Sequence, residues 1–556
     1  MACLKVLSGD LPELTNEIIQ YFRDDFSTLH SCILVNRLWC RIAIPLLWED
    51  PFSIPTQNYH FIEIYLHYLS KHEQRKLNEY GIDNNLFPSN TLFNYPSFIK
   101  CLSIQIGYPI ETWVASIRPK QPVNHSVRCI YYSGYTRLIY KSLFKIFIEN
   151  KARLHTFEII TYVYHDYLND AFELILQNPN FICEIKNLKL QGITYLSKID
   201  SLLSFLSSNC NSISTFNFQF IDKLNENFSS RIINSQQNIK TILFQHNNFP
   251  LYNSLLSLKN SNCSFTLKTI IFYETDFKNI IILKEVFEQL NGLESIHILY
   301  CHSLNSDFVQ QIINITKPFR LRSLFMGEIL QVESLQLLLQ KSGVYLENVG
   351  FGLLKNNELK QKLFQLMKKY CSNINFFDCS CFYTPDNIYP AFDLIKNVGE
   401  NLNYLSIECS ISTIFSSIVL QELGSILPTK LEYLKLSLEI NINDFKIFLN
   451  DSQNTFINKL VIKNKVLLHS SLIEKIKKLV SKNKTQAIEQ DILPYIEEFI
   501  MKKRRVKYLA FKEDYMRVRD LFLLKDHVKK FESYNIEVQN YDDLNINWYK
   551  YIEETY

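Results

Sequence analysis

A short apolar pattern that recurs about every 27 residues constrains the fold of this chain more than any other feature. Fourteen segments carry an apolar residue at their first position and usually at their fourth and sixth. From Ile99 to Ile457 they span 358 residues in thirteen steps, a mean of about 27.5, and single steps range from 25 to 31. The segments begin at Ile99, Val127, Leu154, Ile185, Ile213, Ile239, Leu267, Leu293, Leu321, Leu346, Ile374, Leu402, Leu431 and Ile457. A period this regular indicates stacked repeats, which absorb most of the 556 residues.

Each repeat is predicted to contain one strand and one helix. The apolar spacing matches the L-x-x-L-x-L core of a leucine-rich repeat, and helix-like stretches such as 277–290 lie between the apolar runs. We therefore predict an α/β fold in which a curved solenoid carries a parallel sheet on its concave side and helices outside. An all-helical HEAT-type solenoid is the alternative, but its period is about 40 to 47 residues. The β-branched and aromatic strand composition also argues against it.

The first fifty residues are predicted to form three short helices. Asp10 can cap the first, Ser27 can cap the second, and Pro45 ends the third. Helices this short bury little surface, and they carry apolar residues on more than one face. A partner protein is therefore expected to cover part of them.

The sequence of these helices resembles a known family. The residues that carry the resemblance are Leu11, Pro12, Glu13, Leu14, Glu17, Ile18, Leu29, Val35, Asn36, Arg37, Leu38, Trp39, Pro45, Leu46, Leu47 and Trp48. They resemble the F-box over about 40 residues, although Asn36 replaces the usual cysteine and Leu38 stands where the family is often polar. An ordinary helical cap on the repeats is the alternative interpretation.

The resemblance implies a partner and the residues that bind it. F-box helices dock onto a Skp-type adaptor and through it onto a cullin scaffold. Carried over to this chain, the residues that form or support the adaptor surface are Leu11, Pro12, Leu29, Val35 and Trp39.

Four regions follow from these patterns. We predict an F-box over 1–50, a helical linker over 51–98 with one long helix over 58–80, repeats over 99–465, and closing units over 466–556. Within the last region we expect a basic helix over 471–482, a strand over 506–511, a helix over 514–534 and an extended segment over 536–541. The basic run 502–505 fits either a nuclear-import signal or a solvated charge cluster, and the second is favoured.

Composition excludes several classes of function. Only 12 of 556 residues are glycine, and no dinucleotide or P-loop motif occurs. The net charge of +3 gives no electrostatic case for nucleic acid, and no uncharged run of 18 apolar residues predicts a membrane span. The 13 cysteines are an odd number, and the first ten residues do not resemble a signal peptide. We expect reduced thiols and a cytoplasmic location, extending to the nucleus if 502–505 acts as an import signal.

No catalytic or cofactor motif is found. The candidate metal or nucleophile groups are His297, Cys301, His302, Cys371, Cys379 and Cys381, which lack the partner pairs of structural zinc sites. They are interpreted as packing residues. We expect no cofactor, no metal and no catalysis by this chain.

A target-binding surface is predicted from the strand alternation. Positions three, five and seven of each repeat should face the concave side, about 5 Å from their neighbours in adjacent strands. There Tyr273, His297, Leu299 and Phe325 form an aromatic cluster, with glycines beside it that leave room for a ligand. Exposed aromatic groups with a polar rim are typical of protein-binding hot spots. A register error of one residue would instead turn these side chains into the core.

These observations favour one function and leave an alternative. The whole chain resembles fungal F-box proteins with C-terminal leucine-rich repeats. That resemblance implies the substrate-recognition subunit of a Skp-cullin-F-box ubiquitin ligase, whose repeats bind an unknown target protein. The alternative is a leucine-rich-repeat interaction scaffold without ligase activity, and an unrecognised enzyme is a distant third.

Overall fold

The computed structural model describes most of the chain. The described ranges, apart from positions 24, 80 and 81, are 11–54, 59–117, 125–160, 167–193, 198–220, 226–246, 251–327, 331–352, 356–382, 384–409, 413–465, 492–501, 505–514 and 519–556. The chain divides into two compact units, Met1–Leu267 (unit 1) and Lys268–Tyr556 (unit 2).

Unit 1 begins with helices and continues with parallel strands. Its helices are α1 (Pro12–Tyr21), α2 (Phe26–Cys32), α3 (Arg37–Leu47), α4 (Phe61–Leu66), α5 (Lys71–Glu79), α6 (Gly107–Ile117), α7 (His125–Glu149), α8 (Tyr167–Gln177), α9 (Ile199–Asn209), α10 (Glu226–Ser235) and α11 (Tyr252–Asn260). Its strands are β1 (Cys101–Ser103), β2 (Thr156–Ile160), β3 (Asn187–Ile193), β4 (Thr215–Phe220) and β5 (Thr241–Gln245). Each of these strands pairs in parallel with the next.

The first three helices pack around a small apolar core. Asn36 caps α3, because its side-chain oxygen accepts a hydrogen bond from the Trp39 amide at 3.0 Å. Helices α1 and α2 both pack against α3. The core that they form contains Ile19, Leu29, Cys32, Trp39, Ala43, Leu46 and Leu47.

Four expectations for unit 1 are wrong. Asp25 caps α2 in place of Ser27, because its side chain accepts a hydrogen bond from the Thr28 amide. Pro45 lies inside α3, which continues to Leu47. The region 58–80 contains two helices, α4 and α5, in place of one long helix. The repeat predicted to start at Val127 lies inside α7, a helix of 25 residues. The apolar spacing at 127–132 suits one helix face as well as a strand, so periodicity alone cannot separate the two.

Unit 2 repeats strand and helix in turn. Its strands are β6 (Thr269–Tyr273), β7 (Ser295–Leu299), β8 (Leu321–Met326), β9 (Asn348–Phe351), β10 (Phe376–Phe382), β11 (Tyr404–Cys409), β12 (Lys430–Leu438), β13 (Phe456–Lys465), β14 (Val506–Asp514), β15 (Arg519–Asp520) and β16 (Glu537–Val538). Its helices are α12 (Leu283–Gln289), α13 (Ser306–Ile313), α14 (Val332–Ser342), α15 (Asn357–Tyr370), α16 (Ile388–Val398), α17 (Thr413–Leu423), α18 (Ile442–Asp451), α19 (Leu493–Ile496), α20 (Lys525–Glu532), α21 (Tyr541–Leu544) and α22 (Trp548–Thr555).

The pairing in unit 2 is parallel from β6 to β14. Strand β15 is antiparallel to β14, and β16 is parallel to it. The predicted α/β class with parallel strands is therefore present in both units. Thirteen of the fourteen predicted repeat starts lie within two residues of the first residue of a strand.

The chain after β13 agrees with the sequence in part. The strand predicted over 506–511 is β14, whereas the helix predicted over 514–534 is shorter and is α20. The helix predicted over 471–482 lies outside the described residues, as do positions 502–504 of the basic run. Arg505 is described, and it is buried.

The burial of Arg505 corrects the solvated-cluster interpretation for that position. Its guanidinium donates hydrogen bonds to the backbone oxygen of Ser452 and, at 3.3 Å, to that of Leu449. These carbonyls lie at the C-terminal end of α18, where a cation is favoured. Burial lowers the pKa of Arg505 to about 10. Arg505 thus stabilises the end of α18 and does not belong to a free charged surface.

The sheet of unit 2 has two distinct faces. On one face, Phe351 and Phe377 contact the ring of Phe364 in α15, with centroids 6.0 Å and 6.2 Å away. On the other, Phe325 lies 5.9 Å from Phe376, which stacks on Tyr404 at 5.8 Å. We call this second face the aromatic face. Its defining residues are Tyr273, His297, Leu299, Phe325, Phe376 and Tyr404.

Candidate functional site

The four side chains predicted to bind the target are adjacent in unit 2. The strand register places Tyr273 beside Leu299 and Leu299 beside Phe325. His297 lies two residues before Leu299 on β7, so its side chain is on the same face. The predicted grouping is therefore present, on the face opposite α15.

The expected exposure of this cluster is wrong. His297, Leu299 and Phe325 have no solvent-exposed surface, and Tyr273 is half-buried. They are covered by a C-terminal segment, residues 541–556, which we call the tail. Its two helices are α21 and α22. Strand alternation identified the correct face, but it carried no information about which other segment of the chain packs there.

Trp548 fills the centre of the aromatic face. Its ring stacks on Phe325 with centroids 5.3 Å apart and lies 4.7 Å from the ring of Tyr300. Tyr273 contacts the same indole edge to face at 5.6 Å. Such ring pairs contribute about 0.5 to 1.5 kcal/mol each beyond the area that they bury. The three rings form a socket for one large aromatic side chain.

Tyr551 occupies the next part of the face. Its ring is 5.2 Å from Phe376 and 5.0 Å from Tyr404. Because Tyr551 follows Trp548 by three residues, both rings project from the same side of α22. Burial raises the pKa of Tyr551 to about 12.

Tyr556 adds a polar contact. Its ring lies 4.4 Å from the His297 ring, and its hydroxyl donates a hydrogen bond to the Glu347 carboxylate. The side-chain amide of Asn348 donates to the same hydroxyl at 3.0 Å. Glu347 also forms an ion pair with Arg322. This end of the face therefore recognises a phenol by a hydrogen-bond acceptor and a donor together.

The opposite side of α22 is charged. Asn547 caps the helix by accepting a hydrogen bond from the amide of Tyr549 at 3.0 Å. Lys550 and Glu554 are exposed and form an ion pair at 3.4 Å, four residues apart. The helix is thus amphipathic, with aromatic rings on the sheet and charges in solvent.

The tail is anchored before α22 begins. Tyr541 and Leu544 pack in a core cluster with Tyr433, Val461 and Ala510. The Tyr433 hydroxyl accepts a hydrogen bond from the Ile546 amide at 3.2 Å. Residues 541–546 are therefore held in this cluster, against which Tyr404 packs, and 547–556 extend over the rest of the aromatic face.

The glycines near the face do not leave space for a ligand. A side chain at Gly350 would overlap the ring of Phe325. Gly327 and Gly352 lie against Tyr300, whose ring would be 3.7 Å and 3.5 Å from added side chains. The space that these glycines leave is occupied by rings of the same chain.

His297 is neutral in this environment. Its Nδ1 atom lies 2.7 Å from the Ser323 hydroxyl, and its Nε2 atom has no hydrogen-bond partner among the described residues. Burial lowers the pKa of His297 to about 3, and the positive charge of Arg322 acts in the same direction. A buried imidazole that cannot take up a proton serves here as part of the packing.

Among the described side chains, the candidate metal or nucleophile groups do not come together, and the side chain of Cys381 lies outside this description. The Cys301 thiol donates to the Phe272 backbone oxygen at 3.4 Å, and burial raises its pKa to about 12. Cys371 and Cys379 are buried free thiols. In the described part of the chain, no group of three His, Cys, Asp or Glu side chains is arranged to hold a metal ion.

The residues predicted to bind the adaptor divide into two groups. Leu29 and Trp39 are buried in the core of α1 to α3, where they support the fold. Leu11 and Val35 expose 37% and 47% of their surface, and Pro12 is exposed as well. The exposed residues lie at the start of α1 and in the turn before α3.

Sequence reasoning missed one neighbour of this group. Leu34 is 76% exposed in the turn between α2 and α3. The pair Leu34 and Val35 directly follows the last turn of α2. Two adjacent apolar residues at a helix end cannot both face the same core, and this was the available signal.

Comparisons with known proteins do not place the chain in a family. No family model matches the chain, and no curated protein matches it. Among the described helices, none combines the length and the apolar character that crossing a bilayer requires.

Proposed function

We propose that this chain is a non-catalytic substrate receptor of a Skp-cullin-F-box ubiquitin ligase. The observation that carries the proposal is the exposure of apolar side chains on the small helical unit, namely Leu11, Leu14, Leu34 and Val35. Several exposed apolar side chains on so small a unit are typical of a protein-interaction surface. The F-box resemblance of the same residues supplies the partner, a Skp-type adaptor.

The repeats supply the second half of the proposal. They have leucine-rich-repeat character, and unit 2 presents a face built for aromatic side chains. A receptor needs two separate binding surfaces, one for the adaptor and one for the target. The first three helices belong to unit 1 and the aromatic face to unit 2, so the two functions use different residues. We propose that the target contacts Tyr273, His297, Leu299 and Phe325 or the side chains that cover them.

The adaptor surface is tested by a double substitution. Leu11→Ala with Pro12→Ala should abolish capture of a purified Skp-type adaptor, because it removes exposed apolar area without touching the core of α1 to α3. The measurement is a pull-down with the full-length chain. A matched control is Tyr21→Ala, which removes an aromatic ring that is 87% exposed at the other end of α1 and is not among the residues that carry the resemblance.

The outcomes separate the receptor from the alternative. If the folded double variant captured the adaptor as well as the unchanged chain does, the proposal that the chain is a ligase receptor would be wrong. Adaptor capture without recovery of a cullin from cell extract would favour a leucine-rich-repeat scaffold that lacks ligase output.

A further inference from the structure

Residues 547–556 cover the aromatic face mainly through their side chains. Among the described residues, no hydrogen bond between backbone groups joins this segment to a strand, and its backbone amides bond within α22. The contacts include the rings of Trp548 and Tyr551, the ring of Tyr549 at 4.5 Å from Tyr273, and the phenol of Tyr556. Ile552 of α22 is fully buried, and Thr269 donates a 3.4 Å hydrogen bond to the Tyr556 backbone oxygen. A segment bound in this way can leave without breaking the sheet.

We propose that the aromatic face is a groove for an amphipathic helix of the target protein, and that residues 547–556 occupy this groove until the target displaces them. This inference rests on the proposed receptor function and adds the chemistry of the target. It follows the way in which amphipathic helices are bound in grooves, by side chains about one turn apart.

The groove specifies what the target helix presents. A large aromatic ring enters between Tyr300 and Phe325, where Trp548 now lies. A second aromatic ring three residues later meets Phe376 and Tyr404. The socket for the first ring is lined by Tyr273, Tyr300 and Phe325, so a charged side chain placed in it would lose its hydration. Asp378 lies beside Gly350 on the same face, and its charge acts on Tyr300.

The third position selects a hydroxyl group. Glu347 and Asn348 bind the Tyr556 hydroxyl from two sides, and Arg322 holds the Glu347 carboxylate in place. A phenylalanine at this position would leave the carboxylate with one partner fewer. The target segment is therefore an aromatic helix with a ring, a second ring three residues on, and a phenol at its end.

Occupation by the chain itself reduces the apparent affinity for a target. The segment is tethered directly to the anchored residues 541–546, and its effective concentration at the groove is of the order of millimolar. A target in solution must compete with this tethered segment, so the fraction of chains with an open groove sets its apparent affinity. Weakening the contacts of the tail should therefore strengthen binding in trans.

The experiment uses the full chain and a labelled peptide with the sequence of residues 545–556. Binding is followed by fluorescence anisotropy. The variant Trp548→Ala with Tyr551→Ala should bind the peptide at least about tenfold more tightly than the unchanged chain, because its own tail no longer competes. The matched control is Lys550→Ala with Glu554→Ala on the solvent side of α22, which should bind as the unchanged chain does.

Specificity is tested on the peptide itself. Replacing its tryptophan by alanine should abolish binding to the double variant. Replacing its last tyrosine by phenylalanine should weaken binding, because the partner of Glu347 is lost.

Three results would overturn the proposal. The first is a double variant that melts like the unchanged chain and binds no peptide. The second is equal peptide binding by the unchanged chain and the double variant. The third is a dimer of the unchanged chain that is lost in the double variant. Such a dimer would mean that residues 547–556 of one copy bind the groove of another copy.

A second design covers loss of folding in the double variant. A specific protease site is inserted between Ile546 and Asn547 of the full chain and is cut after purification. The released segment should then exchange with the labelled peptide, whereas a segment that stays bound without exchange would contradict the proposal. Neither experiment involves the adaptor. If peptide binding fails, the adaptor pull-down with the Leu11→Ala, Pro12→Ala variant still tests the proposed receptor function separately.

Discussion

At the scale of single residues, the burial of His297 makes the free energy of unfolding depend on pH. Its imidazole is enclosed by the strands of unit 2 and by the ring of Tyr556. The charged groups nearest to it in the contacts described are Arg322 and, through the Tyr556 hydroxyl, Glu347. Because burial lowers the pKa to about 3, the folded state excludes a proton that the unfolded chain accepts.

This difference predicts that unit 2 becomes less stable as the pH falls below about 6.5. An unfolded histidine has a pKa of about 6.5, so the unfolded state binds more protons between pH 6.5 and pH 3. The stabilisation is fully present above pH 6.5. Between pH 7.5 and pH 5.5, His297 should reduce the free energy of unfolding by about 1.4 kcal/mol. Urea unfolding at the two pH values measures this loss.

Two variants isolate the contribution of His297. His297→Gln should remove about that amount of the pH dependence, since glutamine does not titrate. Ser323→Ala should lower the stability at both pH values but keep the difference between them, because the imidazole is still buried. A His297→Gln chain with the full pH difference would show that other groups cause it.

At the scale of elements, the three N-terminal helices depend on one tryptophan. Trp39 lies in the core formed by α1, α2 and α3 and is 8% exposed. Trp39→Ala should destabilise this helical unit by about 3 to 5 kcal/mol, through lost burial and the cavity that remains. Circular dichroism and proteolysis of the N-terminal region measure the loss.

Val35→Ala is the control for this element. Val35 is 47% exposed, so its truncation should change stability by no more than about 0.5 kcal/mol. It should nevertheless weaken adaptor capture. Equal destabilisation by the two substitutions would mean that Val35 belongs to the core and not to a binding surface.

The elements also show how much the sequence could predict. The repeat starts from Leu154 onward all fall beside strands, because alternation and a fixed period are local properties of the chain. The start at Val127 failed because apolar spacing there also suits a helix. The tail was missed for a different reason. Its docking onto Phe325 joins residues more than two hundred positions apart, and no local pattern carries such a pairing.

At the scale of the whole molecule, the reactivity of the cysteine thiols measures how well both units are packed. The structure describes ten free cysteines, and seven of them are buried. Burial raises the pKa of Cys101 to about 11 and those of Cys210 and Cys371 to about 12. The thiolate is the reactive form, so at pH 8 about one such thiol in a thousand or fewer is reactive at any moment.

We therefore expect at most five of the thirteen cysteines to react readily with a thiol reagent at pH 8 in the native chain, since seven are buried and the pKa of Cys101 is raised. All thirteen should react in concentrated guanidinium chloride. Cys40→Ser should lower the native count by one because Cys40 is half-buried, whereas Cys301→Val should leave it unchanged. If ten or more thiols reacted at once in the native chain, the strands and helices of the two units would not be packed as described. The thermal midpoint should also be the same with and without a reducing agent, because the free thiols contribute by packing and not by cross-linking.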